Sequence, residues 1–350
     1  MRQKWRSRIA GCACALLLAV AVPRPAPADD SLSIIFGGAP GLFDALDLVA
    51  QGAGFFNDEH LNLTTEHTTS ASTCAQLVAT GKADVCSMSV EPVLTGYEKG
   101  LRLQFFLARA ARYSYVLGVL PDSPIRTLED FKGKVIGEQN IGSAAEVPAN
   151  SMLAGAGLAK SDYSFVPVGI GAQALDAFVN KRVDALAFGS DIVTFEVAGR
   201  VTPRVFVHPI LKDIANVGYA ATPATIAAKA DVLKRYSRAI VESALFIREN
   251  PAVSARFLLQ GHGEKITPEA LQNTTLELTL LKDYLPAADP SSKRIGYLPP
   301  RGLELYSSYL VQYGFAHQVV PGSAVATDAF IPFANDFDHQ ALIARARAMR

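Results

Sequence analysis

Short oxygen-bearing side chains crowd both ends of one segment, residues 69–91. Ser70, Ser72 and Thr73 stand at its start, and Ser89 and Glu91 at its end. Ser and Thr of this kind cap helix N-termini. An amphipathic run follows the first group, Gly81 supplies a helix stop, and residues 83–87 read as a brief strand. A helix between two parallel strands points its N-terminus toward the strands' C-terminal ends. Both polar groups therefore meet at one edge of a sheet, the edge where open α/β sheets bind ligands. Backbone N–H groups left open there favour anions and polar ligand atoms.

Residues 171–191 follow the same plan: short helix, basic turn, Val-Asp, apolar strand, polar end. Asp184 matches Asp84, Arg182 matches Lys82, and Asp191 matches Glu91. Two such units imply two similar lobes, each with a sheet edge to offer. Such units also recur by chance in α/β proteins, and it is the order of the remaining elements that favours two lobes.

The length of 350 residues suits about two domains. With 49% hydrophobic and 19% charged residues the chain supports a large core, and nothing in it reads as disordered. The formal charge is +0, but residues 1–28 hold Arg2, Lys4, Arg6, Arg8 and Arg24 and no acid. Taking these five from the 33 basic residues leaves 28 against 33 acidic ones. A mildly acidic remainder argues against a nucleic-acid surface, which needs a basic face.

The basic start, an apolar run over 9–22 and Ala26-Pro27-Ala28 form a secretory signal peptide, with cleavage expected after Ala28. The apolar run is shorter than the roughly 20 residues of a membrane span. Ile9-Ala10-Gly11-Cys12 looks like a lipoprotein box, but the apolar region follows its cysteine instead of preceding it. No second segment is long and apolar enough to span a bilayer. The mature protein is expected to be exported, soluble and periplasmic.

Cys12 and Cys14 leave with the leader, while Cys74 and Cys86 enter an oxidising compartment. One lies near the helix start and the other near the strand end, so a disulfide is geometrically open. The alternative is two small buried apolar residues. The six His show no metal-ligand spacing, so neither a metal nor a cofactor is expected.

Along the chain, residues 31–36 read as a first strand, followed by Gly37-Gly38-Ala39-Pro40-Gly41. That loop lacks the G-x-G-x-x-G and Lys-Ser/Thr patterns of nucleotide sites. It reads as a loop whose backbone approaches a small ligand closely. A helix over 42–54, a strand over 61–67, a helix over 92–99 and a strand over 103–108 follow. Residues 113–120 and 216–221 are β-prone. Ser143 and Glu146 have capping-box spacing before a helix reaching about 155. Strands are expected over 163–167 and 205–207. From Pro223 the pattern is mostly helical, with long runs over 230–249, 267–278 and 301–313 and a Pro/Ser/Gly-rich linker over 286–300.

These pieces in this order resemble the solute-binding proteins of bacterial ABC importers, in the nitrate/sulfonate/taurine and thiamine-precursor group. The resemblance covers most of the mature chain. It is carried by residues 77–85, by T-L-E-D-F-K-G-K-V-I-G over 127–137, by Gly142-Ser143, by Val183-Asp184-Ala185 and by Ile247-Arg248-Glu249-Asn250-Pro251. It implies an α/β, two-lobe periplasmic-binding-protein fold of type II. Two crossing hinge strands are expected near 113–120 and 216–222, with the ligand cleft between the lobes. Lobe 1 would then be 29–115 plus 221–350, with the C-terminal helices returning to it, and lobe 2 would be 116–220. The resemblance also implies its partners: a small-molecule ligand and an ABC permease in the inner membrane, with no nucleic acid, the protein itself being a monomer. A sensor docking on a chemoreceptor or kinase would share the binding fold.

Fungal pyrimidine synthases of thiamine biosynthesis share this fold but are enzymes. They carry a Lys and a His after the Val-Asp strand, where this chain has Met88 and Pro92. Their cysteine-rich run is also missing near 216–221. The expectation is therefore a binding protein and not an enzyme.

The candidate ligand-binding residues are Phe36, Gly38, Ser70, Ser72, Thr73, Ser89 and Glu91 from the first lobe, Tyr113 at the hinge, and Gly142, Ser143, Ser190 and Asp191 from the second. For Ser72, Thr73 and Ser143, each taken alone, ordinary helix capping is the favoured alternative. Phe36 and Tyr113 either stack on a ligand ring or pack in the core. Glu91 and Asp191 repel a bare anion and favour an amine or amide donor, such as an aminopyrimidine, unless they are solvated helix-start carboxylates. Arg109 and Arg112 border the hinge and suit a carboxylate or sulfonate. The ligand stays open between an organic anion and a nitrogen heterocycle.

Overall fold

The computed structural model describes residues 30–350 except 142, 144, 190–196, 198–200, 210 and 288. The expected leader with its cleavage site, and the candidates Gly142, Ser190 and Asp191, lie outside the described residues.

The chain builds two five-stranded sheets. It lays down β1 (Asp30–Phe36), β2 (Leu61–His67), β3 (Val85–Ser89) and β4 (Gln104–Ala108) in the first. It then crosses to the second for β5 (Tyr115–Val119), β6 (Val135–Glu138), β7 (Ser164–Pro167), β8 (Ala185–Gly189) and β9 (Arg204–Val207). Finally β10 (Val217–Ala221) returns to the first. The orders are β2-β1-β3-β10-β4 and β7-β6-β8-β5-β9. β1 runs parallel to β2 and β3, as β6 does to β7 and β8. In each sheet the strand arriving from the other one sits fourth and antiparallel. Every residue of β3, β5, β8 and β10 is buried, as strands covered on both faces must be.

The crossings differ in position from the expected runs 113–120 and 216–222. β5 already pairs within the second sheet and β10 within the first. The sheet-to-sheet passages are therefore the shorter segments 109–114 and 208–216. Strand pairing, which local sequence does not reveal, decides where they fall. The two passages lie side by side. Asn216 Oδ1 accepts from the Ser114 N–H at 2.9 Å and the Ser114 hydroxyl at 3.1 Å, and the Tyr113 N–H donates to Lys212 O at 3.1 Å.

Helices cover the sheets. Those that matter for the site are α1 (Ala45–Gly52), α2 (Phe55–Asp58), α3 (Ala71–Ala79), α4 (Glu91–Gly96), α5 (Glu146–Gly155) and α6 (Ala172–Val179). Beyond β10 come α7 (Pro223–Ala228), α8 (Ala230–Glu249), α9 (Pro251–Gly261), α10 (Pro268–Leu281) and α11 (Pro300–Gln312). The Asn-Pro after α8 restarts the helix: Asn250 Oδ1 accepts from the Val253 N–H at 3.2 Å, and Pro251 follows at the first helical position. One C-terminal helix touches both halves. α11 lies over both passages, Tyr306 Oη reaching Tyr113 Oη at 2.8 Å, and its Tyr309 Oη donates to Ser151 O of α5 at 3.0 Å. Among the described residues no helix is long and apolar enough to cross a membrane.

Candidate ligand-binding site

The C-terminal ends of β1 and β3 face those of β6 and β8 across a cleft of about 280 Å³. From the first sheet the wall is Phe36, the loop through Gly41, and Ser87, Met88 and Ser89; from the second it includes Tyr115, Gln139, Phe188 and Gly189. The loop after β1 is glycine for a steric reason. A Cβ on Gly37 would lie 2.8 Å from the Ala71 Cα, so only a bare backbone lets the loop pack on the start of α3. The Gly37 N–H donates to Ser87 O at 2.9 Å, which ties the loop to β3.

Arg109 stands at the base of this cleft, on the first passage between sheets. Its Nη1 donates to Ser87 Oγ at 2.8 Å and its backbone N–H to Val217 O at 2.9 Å. Among the described lining residues it is the sole cation, and Asp44 the sole anion. The Asp44 carboxylate is already engaged: Oδ2 accepts from the Gly41 N–H at 3.0 Å, lies 3.0 Å from His262 Nε2, and lies 3.5 Å from His67 Nε2. The hydrogen bond to Asp44 holds the His262 imidazole above its usual pKa, against the effect of burial. His67 Nδ1 in turn lies 2.9 Å from Gly38 O, and its ring stacks on Phe36 with centroids 5.0 Å apart.

The expected site residues divide into three groups. Phe36, Gly38 and Ser89 line the cleft. Ser72, Ser89, Glu91 and Ser143 line a second, smaller cavity of about 80 Å³ between the halves. Ser70, Thr73 and Tyr113 line neither. Ser70 caps α3, its Oγ accepting from the Thr73 N–H at 3.2 Å and lying 3.0 Å from Thr73 Oγ1. Tyr113 is buried against Tyr306, Tyr115 and His208, so it packs in the core and offers no ring to the cleft. Tyr115, two residues on, takes that place.

Two further expectations are corrected. Ser143 does not form a capping box with Glu146, because the helix begins after Ala145 and the Ser143 hydroxyl donates instead to Glu138 Oε2 at 3.0 Å. Glu91 is not a solvated helix-start carboxylate. It is 3% exposed, and its Oε1 accepts from Tyr306 Oη at 2.8 Å and Asn216 Nδ2 at 3.4 Å. Burial raises its pKa, against the hydrogen bonds around it. Arg112 is exposed and lies over the Tyr284 ring at 5.6 Å, away from the cleft.

Ser87, Gln139 and Phe188 were not among the candidate ligand-binding residues, and Met88 was named only as the residue standing where the pyrimidine synthases carry Lys. The signal for Ser87 was present: it is two residues before Ser89 on one strand, so both side chains face the same way. The two cysteines are joined, with Cα atoms 5.9 Å apart, and the bridge fastens α3 to β3 directly beneath Ser87.

A family model described as NMT1/THI5 like matches residues 45–254. No curated protein matches the chain in sequence. Among solved structures, a protein of Bordetella bronchiseptica RB50 is 22% identical with a TM-score of 0.67, covering 87% of this chain and 97% of its own. The alkanesulfonate-binding protein SsuA of Xanthomonas axonopodis pv. citri, bound to MOPS, is 17% identical with a TM-score of 0.63, covering 87% and 99%. The periplasmic nitrate-binding protein NrtA of Synechocystis PCC 6803 is 12% identical with a TM-score of 0.64, covering 87% and 88%. At these identities the likeness carries the fold, the two-lobe α/β fold of periplasmic binding proteins.

Proposed function

The chain belongs to the NMT1/THI5-like family, and from that premise we propose that it is the solute-binding component of an ABC importer, acting in the periplasm after cleavage behind Ala28. Its cleft takes a small organic anion, a sulfonate or a carboxylate. The observation that carries this reading is Arg109, set at the base of the cleft with Ser87 on its guanidinium. Guanidinium groups bind oxyanions with two parallel N–H donors. The one carboxylate among the described lining residues, the buried Asp44, is held by histidines and a backbone N–H and so repels an incoming anion less than a bare one would. Phe36, Tyr115 and Phe188 supply apolar surface for the rest of the solute.

The lobes are the two sheets with their helices, and the passages 109–114 and 208–216 are the hinge. A ligand closes the cleft only through contacts it makes better in the closed form. Arg109 lies on the hinge itself, and the remaining walls come from opposite lobes, so an anion held there meets both. The closed monomer is then what a membrane permease recognises. Binding without turnover is supported by the lining: Met88 and Pro92 stand where the pyrimidine synthases carry Lys and His, and Cys74 and Cys86 are consumed in the disulfide.

Thermal unfolding of the mature protein with a panel of sulfonates, aromatic acids and pyrimidines tests this. A sulfonate or carboxylate at a hundredfold excess over its Kd is expected to raise the melting temperature by roughly 4 °C. Stabilisation by pyrimidines alone, or turnover of any compound, overturns it.

A further inference from the structure

Two histidines converge on one carboxylate behind the loop that walls the cleft. Asp44 is 3% exposed, and its Oδ2 lies 3.0 Å from His262 Nε2 and 3.5 Å from His67 Nε2. The other nitrogen of each ring also faces an acceptor. His67 Nδ1 lies 2.9 Å from Gly38 O, and His262 Nδ1 lies 3.6 Å from Glu264 Oε1. A neutral imidazole carries one N–H and one lone pair, so it donates to only one such partner. Only with both rings protonated do all four nitrogens donate to the acceptors they face. The hydrogen bond to Asp44 already holds the His262 ring above its usual pKa. Both rings keep some exposure, so protons reach them from solvent.

The cluster touches the cleft directly. Phe36, Pro40 and Asp44 line both the cleft and a neighbouring cavity of about 310 Å³, into whose wall His67 and His262 are set. Asp47 lines that cavity too; burial pushes it up to about 6 against the Tyr236 and Tyr219 hydroxyls, with Asp44 adding to the rise and Arg109 opposing it. Glu66, next to His67 on β2, points to the other face of the strand. The cleft loop is pinned to the cluster at two points, Gly38 O on His67 and the Gly41 N–H on Asp44. Its Gly37 N–H bonds Ser87 O, on the residue whose hydroxyl receives Arg109. A deprotonated His67 must either release Gly38 O or turn a lone pair toward Asp44. With both rings protonated, the three side chains carry one net positive charge; with both neutral, they carry one net negative charge. We propose that His67 and His262 make the cleft proton-linked: their protonation strengthens anion binding, and a bound anion favours their protonation by the same factor. Capture is therefore tighter at low pH and weakens as pH rises through the titration of the rings. This rests on the anion reading of the cleft, whose regulation it supplies.

Titration calorimetry with propanesulfonate and benzenesulfonate, which stay ionised throughout, tests this at about pH 5.5 and pH 8 in buffers of different ionisation enthalpy. Affinity is expected to be roughly tenfold higher at the lower pH, with protons taken up on binding in between. The pair His67→Gln with His262→Gln cannot be charged, and should lose more affinity at the lower pH than at the higher, flattening the profile. Asp44→Asn should gain affinity at pH 8, an outcome that the loss of a merely structural contact would not give. It also keeps the test open should the histidine pair fail to fold. Equal affinity at both pH values, with no proton uptake, overturns the proposal and leaves the anion reading standing. An undiminished pH dependence in the histidine pair also overturns it, placing the titration on Asp47. Failure of both sulfonates to bind at either pH removes the anion reading, and this one with it.

Discussion

Asp84 and Asp184 hold the same place in the two halves. Asp84 Oδ2 accepts from the Ser33 N–H at 2.9 Å, and Asp184 Oδ2 accepts from the Val135 N–H at 2.8 Å. Each aspartate returns a bond through its own N–H, to Ser33 O at 3.1 Å and to Val135 O at 2.8 Å. Both therefore lock the third parallel strand of their sheet onto the first, at the end away from the cleft.

Removing either carboxylate takes an acceptor from a backbone N–H; at Asp184 that bond is exposed to water, so Asp184→Ala should cost at most about 1 kcal/mol. Asp84→Ala should cost more, because Asp84 also receives the Ser33 hydroxyl at 2.9 Å and Lys229 Nζ at 2.7 Å. Burial pushes the Asp84 carboxyl up, but the Lys229 and Ser33 hydrogen bonds more than offset it, leaving its pKa lowered. Its contribution is thus present above an unfolded value near 3.9 and is lost as pH falls through the lower folded value. Urea unfolding of the three proteins checks this. Ligand affinity of the folded variants should not move.

The turns before these aspartates also correspond. Gly81 has φ +72°, and Lys181 holds φ +56° without being glycine. Left-handed backbone costs a side-chain-bearing residue roughly 1 kcal/mol. Against this, the Lys181–Asp122 ion pair at 2.7 Å is exposed on both sides and contributes little. Lys181→Gly should therefore stabilise the protein by less than about 1 kcal/mol, read as a higher urea midpoint with no change in slope.

This repeat was legible because it is written in local signals: a helical period, a turn residue, an acid at the strand entry. The Glu91 environment was not, because Tyr306 lies 215 residues away and buries a carboxylate that looks solvated from its neighbours alone. Tyr113 failed for a related reason. The run 113–120 carries no mark of where pairing changes sheets, so a passage residue read as a ligand platform. Ser143 had the right spacing for a cap, but the buried Glu138 competes for the same hydroxyl. Arg109 could be named as bordering the hinge, yet only the fold sets it against Ser87.

The Cys74–Cys86 bridge closes a loop of 12 residues under the ligand-binding end of β3. Restricting the unfolded chain in this way is worth about 3 kcal/mol in the chain-entropy account. Reduction, or the pair Cys74→Ala with Cys86→Ala, should lower stability by up to that amount and loosen the packing of α3 against Ser87. The reduced protein should also bind its anion more weakly. An unchanged melting temperature after full reduction would contradict the bridge.

Arg109→Gln keeps a donor near Ser87 but removes the charge. Hydrogen bonds to charged groups are worth about 1.5–3 kcal/mol, so anion affinity should fall by roughly ten- to a hundredfold. Arg109→Lys should recover only part of this, since a point charge cannot present two parallel donors. The melting temperature of the unliganded variants separates a binding loss from a folding loss. Retained affinity in Arg109→Gln would move the anion site elsewhere.

The last expectation concerns pH, and its sign is opposite to that of Asp84. Glu242 on α8 is pushed up to about 7 by burial and by the like charge of Glu59, against Arg238. Asp47, buried beneath Tyr236 and Tyr219, is pushed up to about 6, burial outweighing the two hydroxyls that donate to it. His262 is raised by Asp44. All three groups have folded values above their unfolded ones, so their stabilisation is full below the unfolded values and is lost as pH rises through the folded ones. The protein should accordingly be more stable near pH 5 than at pH 8. Glu242→Gln cannot ionise and should remove on the order of 2 kcal/mol of that decline. Its melting temperature should then exceed that of the unaltered protein at pH 8 by more than at pH 5. Asp47 and His262 leave a residual slope in the variant. Parallel melting curves for the two proteins across this range would show that Glu242 ionises normally in the folded state.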